Sequence, residues 1–443
     1  MPQTLPFSRI LAILLALNVS TTHSHVKAIE IKAFSIGPGR WVAYSDKEIS
    51  VDAIKPFIDE YLLAGNWPKG VTRPDDPRIL LGREKMAAAR VVAIEPQKGG
   101  RTFILTTDPA VSPDFYRRTI GDISITATFQ GISAKIPNTT SKKPLPNIII
   151  PYPIEMKELA ELSKNDEYIK EFLQAWKKTD QEIRMQFWLK LPEGMQELTI
   201  RSGRSFEVEF NGETLKSSVV DEQHKLNLKL DSAGIEQDFK LNFPVSQMKL
   251  TDDFIKIESK LEKDGKFHSE EISAANFLVP WAPEPLPEAT VAIAPPPYEL
   301  SGGNALKGKE VFYSQGAKCA NCHVYGNEGG KIGPDLTGLK GKDPSLVFHH
   351  MNAPSDRIHP GYPSFTVAMK NGQVAMGVVR SLPGNELEVL DTDARSLKFA
   401  MDEVEELKPS TSSIMPQGLT GTLGEAAVRD LIAFLTGSDK ASK

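Results

Sequence analysis

Both cysteines of this chain sit in one pentapeptide, Cys319-Ala320-Asn321-Cys322-His323. Two thiols three positions apart fall on one turn of chain. They can add to the two vinyl groups on one edge of a porphyrin while the adjoining imidazole reaches the iron from the proximal side. On those grounds the segment reads as the attachment site of one covalent haem c. A thioredoxin-like redox pair would need a preceding strand and a following helix in a βαβ context, and none is visible. A zinc site would need two more ligands at short spacing, and these are absent. Cysteines this close cannot staple distant parts of a fold, so their work is local.

The flanking residues carry a second signal. Upstream, Ala305 to Tyr313 reads as a short helix with Gly308 and Phe312 on one face. Downstream lies Gly333-Pro334-Asp335-Leu336. Near the C-terminus, Thr422 and Glu425 form a capping box, and Val428, Leu431, Ile432 and Leu435 make one apolar stripe ended by Gly437. Ser413-Ile414-Met415-Pro416 precedes that helix. Together these segments resemble a class I cytochrome c. The resemblance implies that Gly308 permits close crossing by the last helix and that the Pro334 carbonyl accepts a hydrogen bond from His323. It also implies that His323 and Met415 are the two axial ligands of the iron. The implied cofactor-binding residues are thus Cys319, Cys322, His323, Pro334 and Met415, with no catalytic residue. His359, in Ile358-His359-Pro360-Gly361, is the alternative sixth ligand and would give bis-histidine ligation. Met351 lies on a predicted helix from Pro344 to Ala353 at a core position, and His349 and His350 are expected to face solvent.

The separation between His323 and Met415 is long for a minimal cytochrome, and the extra length reads as a small β insertion over about 362–407. Ser364 to Lys370 alternates, Asn371-Gly372 is a type I′ hairpin signal, and Gln373 to Arg380 returns. Glu386 to Leu390 and Arg395 to Ala400 supply a second pair. This arrangement resembles the haem-binding domain at the C-termini of many exported planctomycete–verrucomicrobial proteins. The matching residues are Cys319 to His323, Gly333 to Leu336, Pro354, Gly361-Tyr362, Asn371-Gly372, Ser413 to Pro416 and Asp430-Leu431. The resemblance covers roughly 304–437, about a third of the chain.

The elements that must position these groups follow from composition and period. Arg9 followed by the apolar run Ile10 to Val19, with Val26-Lys27-Ala28 beyond, reads as a secretory signal over 1–28, cleaved or retained as an anchor. Residues 29–145 form a β-rich subdomain, with strands at Arg90 to Ile94, Thr102 to Thr106 and Asp122 to Phe129 and a turn at Lys98-Gly99-Gly100. Residues 146–280 are α+β or β-sandwich-like. Met185 to Leu191 and Leu226 to Leu230 alternate there as strands, and Ile154 to Trp176 reads as one or two helices. Pro137 to Pro146 is a plausible subdomain break. A proline-rich linker over 281–300 precedes a cytochrome c domain over 301–437 and a tail over 438–443. The expected fold is therefore multidomain: a mainly β, sandwich-like N-terminal region with one or two helices, then an α-helical class I cytochrome c domain carrying a small β insertion.

A formal net charge of −5 gives no reason to expect nucleic-acid binding. No apolar stretch beyond the signal is long enough to span a bilayer, so no transmembrane segment is expected after cleavage. The leading functional expectation is an exported, periplasmic carrier passing single electrons between a dehydrogenase and another cytochrome or an oxidase through a His/Met-ligated haem. The alternatives are a haem-containing dehydrogenase whose N-terminal region oxidises a small molecule such as a sugar, and a binding module that tethers the cytochrome to a partner. Charge is uneven near the motif. From Ser301 to Lys342 six lysines oppose three acids, whereas from Glu386 to Glu406 eight acids oppose Arg395 and Lys398. Lysines around an exposed haem edge would meet an acidic redox partner.

Overall fold

The computed structural model describes residues 29–438 except 46, 77, 81–85, 98–99, 138–147, 151, 153–155, 165–166, 179–180, 192–194, 211, 231–235, 246–253, 264–265 and 285–292. The expected signal, the break around Pro137 to Pro146 and the tail lie wholly or largely outside these residues.

Seven strands close into a barrel: β1 (Ile29–Gly37), β2 (Arg40–Ser45), β3 (Tyr61–Gly65), β4 (Met86–Pro96), β5 (Thr102–Thr107), β6 (Tyr116–Ile120) and β7 (Ile123–Thr128). Their order around the barrel is β1-β2-β5-β4-β3-β6-β7, and β1 closes on β7 in parallel, with Ile29 opposite Ile123 and Phe34 opposite Thr128. Side chains alternate across each strand, so one set fills the interior. That set includes Ile31, Ala33, Trp41, Leu62, Ala89, Val91, Phe103, Leu105 and Tyr116. The polar tips of the large aromatics are satisfied inside. Trp41 Nε1 donates to Thr107 Oγ1 at 3.0 Å, and the Tyr116 hydroxyl accepts from the Val111 and Ser112 amides at 3.2 Å each.

Residues 132–278 build two further antiparallel sheets on one shared core. Phe187 and Leu189, Phe239 and Leu241 come from one sheet, and Leu198, Ile200 and Ile257 from the other. The helices Met156–Leu162 and Glu167–Lys178 belong to this unit, the second burying Ile169, Phe172 and Trp176 against Phe243 and Phe254. The start of the proline-rich segment is not a spacer. Trp281 donates to Ser35 Oγ at 2.9 Å, and Ala282 is buried against the barrel.

A third unit follows. The helices Ala305–Tyr313, Cys319–Cys322, Pro344–Asn352 and Glu425–Thr436 surround a small core of Phe312, Val347, Met351, Val428, Leu431 and Leu435. Between them runs a five-stranded antiparallel sheet: Ser364–Met369, Val374–Leu382, Glu386–Leu390, Ser396–Ala400 and Val404–Pro409. Its inner face, with Phe365, Val367, Met369, Leu387 and Val389, is continuous with the barrel core.

The expected architecture is corrected here. Strand accounts for 41% of the described residues and helix for 20%, and among them no α-helical cytochrome c domain is evident. The N-terminal strands close into a barrel rather than a sandwich. The sheet read as a small insertion packs its apolar face on the barrel, so it is part of a larger β assembly. Two local expectations also fail. The Glu425–Thr436 helix is entered through Gly424, without a side-chain cap, because Thr422 already belongs to the preceding turn Leu419–Leu423. His349 is turned inward, pairing with Asp356 at 3.3 Å, rather than facing solvent.

Candidate functional site

The Cys319–Cys322 turn is entered by Lys318 in the left-handed conformation (φ 54°) and left by His323 in an extended one (φ −111°). The His323 amide donates to Cys319 O at 2.9 Å, closing the turn. The chain then returns: the Ile332 and Gly333 amides both donate to Cys322 O, at 3.1 and 2.8 Å. This return places Gly333 and Pro334 against the histidine ring. A Cβ on Gly333 would lie 2.6 Å from His323 Cε1, so only glycine leaves room for the imidazole as it sits. His323 Nδ1 is 2.9 Å from the Pro334 carbonyl oxygen. A carbonyl can only accept, so Nδ1 carries the proton and the Nε2 lone pair is the one available to a ligand-binding role. Burial lowers the His323 pKa, which keeps the ring neutral.

The two thiols face different apolar surroundings. Cys319 shares a cluster with Phe312, Leu336, Leu80 and Met415, and Cys322 shares one with Ile332, Tyr362, Val378 and Ile414. The Ser413 to Pro416 loop therefore contributes to both, Met415 beside the first thiol's cluster and Ile414 to the second's. Met415 is half-buried, and its amide donates to Ser413 Oγ at 3.1 Å. Both cysteines are free in the structure. Burial pushes the Cys319 thiol up to about 11 and raises Cys322 as well.

The expectation of an iron- and metal-binding site at His323 and Met415 is corrected in one respect: the protein's own described side chains make no metal-binding group. Among the described residues no three or more His, Cys, Asp and Glu side chains come together in a way that could hold a metal ion. The physical reason is local. The thiols are protonated at neutral pH and lie in apolar packing, and His323 is the imidazole that accompanies them.

The helices behind the motif fix its position. Gly308 sits where the Ala305–Tyr313 helix meets Glu425–Thr436, and a Cβ there would overlap the Asp430 carbonyl oxygen. The Asn304 amide donates to Asp430 Oδ1 at 2.7 Å, and the Tyr325 hydroxyl donates to Phe434 O at 3.0 Å. His359 is half-buried at the edge of the site, with its ring centroid 5.5 Å from that of Tyr362. Sequence reasoning did not find the barrel-side residues here, Leu80 in the Cys319 cluster and Pro74 against Gly361, because no local signal ties them to the motif.

No known family model and no curated protein matches this chain. Among solved structures, it is similar to an anti-sigma factor domain-containing protein at 11% identity and TM-score 0.22, covering 54% of this chain and 84% of that one. It is also similar to the transport component C2-II of the C2 toxin from Clostridium botulinum, at 11% identity and TM-score 0.23, covering 61% and 52%. An anti-sigma factor domain-containing protein from Clostridium clariflavum gives 10% identity and TM-score 0.21. Likeness at this level carries no argument about fold or function. Among the described residues no helix is long and apolar enough to cross a membrane.

Proposed function

We propose that this protein is an exported carrier of single electrons, with one haem c attached through Cys319 and Cys322 and His323 as its proximal ligand. The observation that carries the reading is the His323–Pro334 hydrogen bond. It fixes the tautomer, orients the ring and leaves Nε2 as a donor next to two thiols on the same turn. The donor set fits the group: two thiols and one imidazole within five residues, and a glycine beneath the ring where a Cβ would intrude. When bound, the haem would supply reversible one-electron chemistry at iron, the metal arriving in the porphyrin rather than in a cluster of protein donors. Cys319 and Cys322 would tether it. Pro334 would hold the His323 ring and raise its basicity. Met415 would be the second side chain to hold the iron, so that the group would transfer electrons rather than bind a substrate. Apolar neighbours such as Leu336, Ile332 and Ile414 would keep water from the centre. Its partner would be a second redox protein, a dehydrogenase or an oxidase, met in the periplasm.

The test is expression with export and a haem-attachment system, followed by denaturing electrophoresis and a haem stain. The wild-type chain should retain one haem, and Cys319→Ala with Cys322→Ala should retain none. A wild-type chain that never carries haem, or a double variant that keeps it covalently, would overturn the proposal.

A further inference from the structure

We propose that His359 is a positioning residue that latches the barrel's 66–80 segment onto the loop beside the redox site, making the barrel one wall of that site. The inference rests on the electron-carrier reading for its functional consequence, though the latch itself does not.

The geometry comes from both sides of the contact. His359 Nδ1 accepts the Gly361 amide at 3.2 Å, so that nitrogen is unprotonated. The other ring nitrogen then carries the proton, and it faces the backbone of Pro74, which can only accept. Pro74 is buried and sits so close to Gly361 that a Cβ there would come within 2.9 Å of the Pro74 Cβ. The barrel segment is itself well tied. Arg73 lies 5.3 Å over the Tyr61 ring and 3.4 Å from Asp75, and Arg118 donates to Thr72 O at 3.3 Å. A few residues on, Leu80 packs in the cluster that holds Cys319 and Met415. The neighbour of His359 on the other side, Tyr362, packs in the cluster that holds Cys322.

Two consequences follow. With the Nδ1 lone pair taken by the Gly361 amide and the other nitrogen protonated, His359 as it sits has no free lone pair to offer a metal, so the choice between His359 and Met415 falls to Met415. The barrel is also not an appendage on a flexible linker. Through Pro74 and Leu80 it closes the site on the side where His359 stands, and opening the latch would admit water beside the haem.

The test uses the full chain and reads two properties. In His359→Leu, backbone amides of 68–80 should exchange with deuterium ~10-fold faster or more, because the segment loses its tie. The midpoint potential should fall as water enters, while the reduced protein still excludes carbon monoxide. His359→Gln, which keeps a donor and an acceptor, should restore most of the protection. Gly361→Ala, which displaces Pro74 but leaves His359, should reproduce the His359→Leu pattern and stands in if His359→Leu does not fold. Unchanged exchange in His359→Leu would overturn the latch. Carbon monoxide binding by His359→Leu to the extent seen with Met415→Ala would show that His359 is a ligand and overturn it equally. A wild-type chain without haem would sink the electron-carrier reading alone, since the exchange measurement decides the latch without haem.

Discussion

The Ser381 amide donates to Asp108 Oδ1 across 2.8 Å, joining the outer five-stranded sheet to the barrel. Ser381 Oγ reinforces the contact by donating to Thr107 O at 2.9 Å, and Arg90 Nε lies 3.2 Å from the other carboxylate oxygen. The carboxylate is thus shared between an amide of one unit and a guanidinium of the other. Asp108→Ala would leave Arg90, in a partly buried setting, with only its contact to the exposed Asp59, and the Ser381 amide without an acceptor. The expected loss is about 2–4 kcal/mol of stability in urea unfolding. A loss below about 0.5 kcal/mol would show that the junction does not depend on this carboxylate.

Gly308 offers a packing prediction. Gly308→Val must push the last helix away from the Asp430 carbonyl or bend its own helix. Overpacking of this kind costs roughly 1–3 kcal/mol or more. The melting temperature should drop by several degrees, and haem retention should fall with it. A variant that melts like wild type would mean that the helices do not cross this tightly in solution.

How much of this was legible in the sequence divides by range. Asn371-Gly372 announces its hairpin, though not as the expected type I′ turn, which needs positive φ at both residues: Gly372 adopts φ 85° and Asn371 does not. The stripe from Val428 to Leu435 marks a buried helix face because its period is local. Closure of β1 on β7 carries no such mark. Alternation in Ile29–Gly37 says that one face is buried, but not that the partner strand lies ninety-odd positions away and runs parallel. Four strands of the sheet from Ser364 to Pro409 are visible in the sequence and Val404–Pro409 is not, and neither is the sheet's docking partner, since apolar residues such as Phe365 and Val367 do not name the surface that covers them. The motif was legible because its chemistry is contained in five residues. Pro74 was not, because a backbone carbonyl has no sequence signature.

Stability of the haem-free protein should depend on pH in a defined window. Burial pushes the His359 pKa down to about 4, and the His323 pKa is lowered as well. An unfolded histidine titrates near 6.5. Between about 6.5 and about 4 the unfolded chain therefore binds more protons than the native one, so stability rises with pH through this window and is lost as pH falls. For His359 the loss is on the order of 2–3 kcal/mol. Urea midpoints of Cys319→Ala with Cys322→Ala, measured from pH 7 to 4.5, should fall steadily. Adding His359→Gln should flatten the slope, and an unchanged slope would assign it to other groups.

The axial proposal makes a spectroscopic prediction. Met415→Ala should abolish the weak long-wavelength sulfur-to-iron band, lower the midpoint potential and allow carbon monoxide to bind the reduced protein. Retention of the band would remove Met415 from the site.

Docking can be tested by salt. Lys318 and Lys331 are exposed on either side of the motif, and the Lys331 carbonyl accepts from Arg380. Lys318→Glu with Lys331→Glu should slow electron exchange with an acidic redox partner ~10-fold at low ionic strength, with the potential nearly unchanged. The difference should shrink as salt is added. Wild-type rates that stay flat across the salt series would place the docking surface elsewhere.

The apolar continuity between the barrel and the sheet of Ser364–Pro409 has a consequence for how the chain is made. A nascent chain would finish β1 to β7 more than two hundred residues before synthesising the strands that cover them. Contacts of such sequence separation form late, because their loop-closure entropy must be met before they stabilise anything. Until then part of the barrel's apolar core would stand open to solvent, and intermediates of this kind are prone to association. Secretion of an extended chain, with folding begun only after the whole of it has crossed, would avoid that interval altogether.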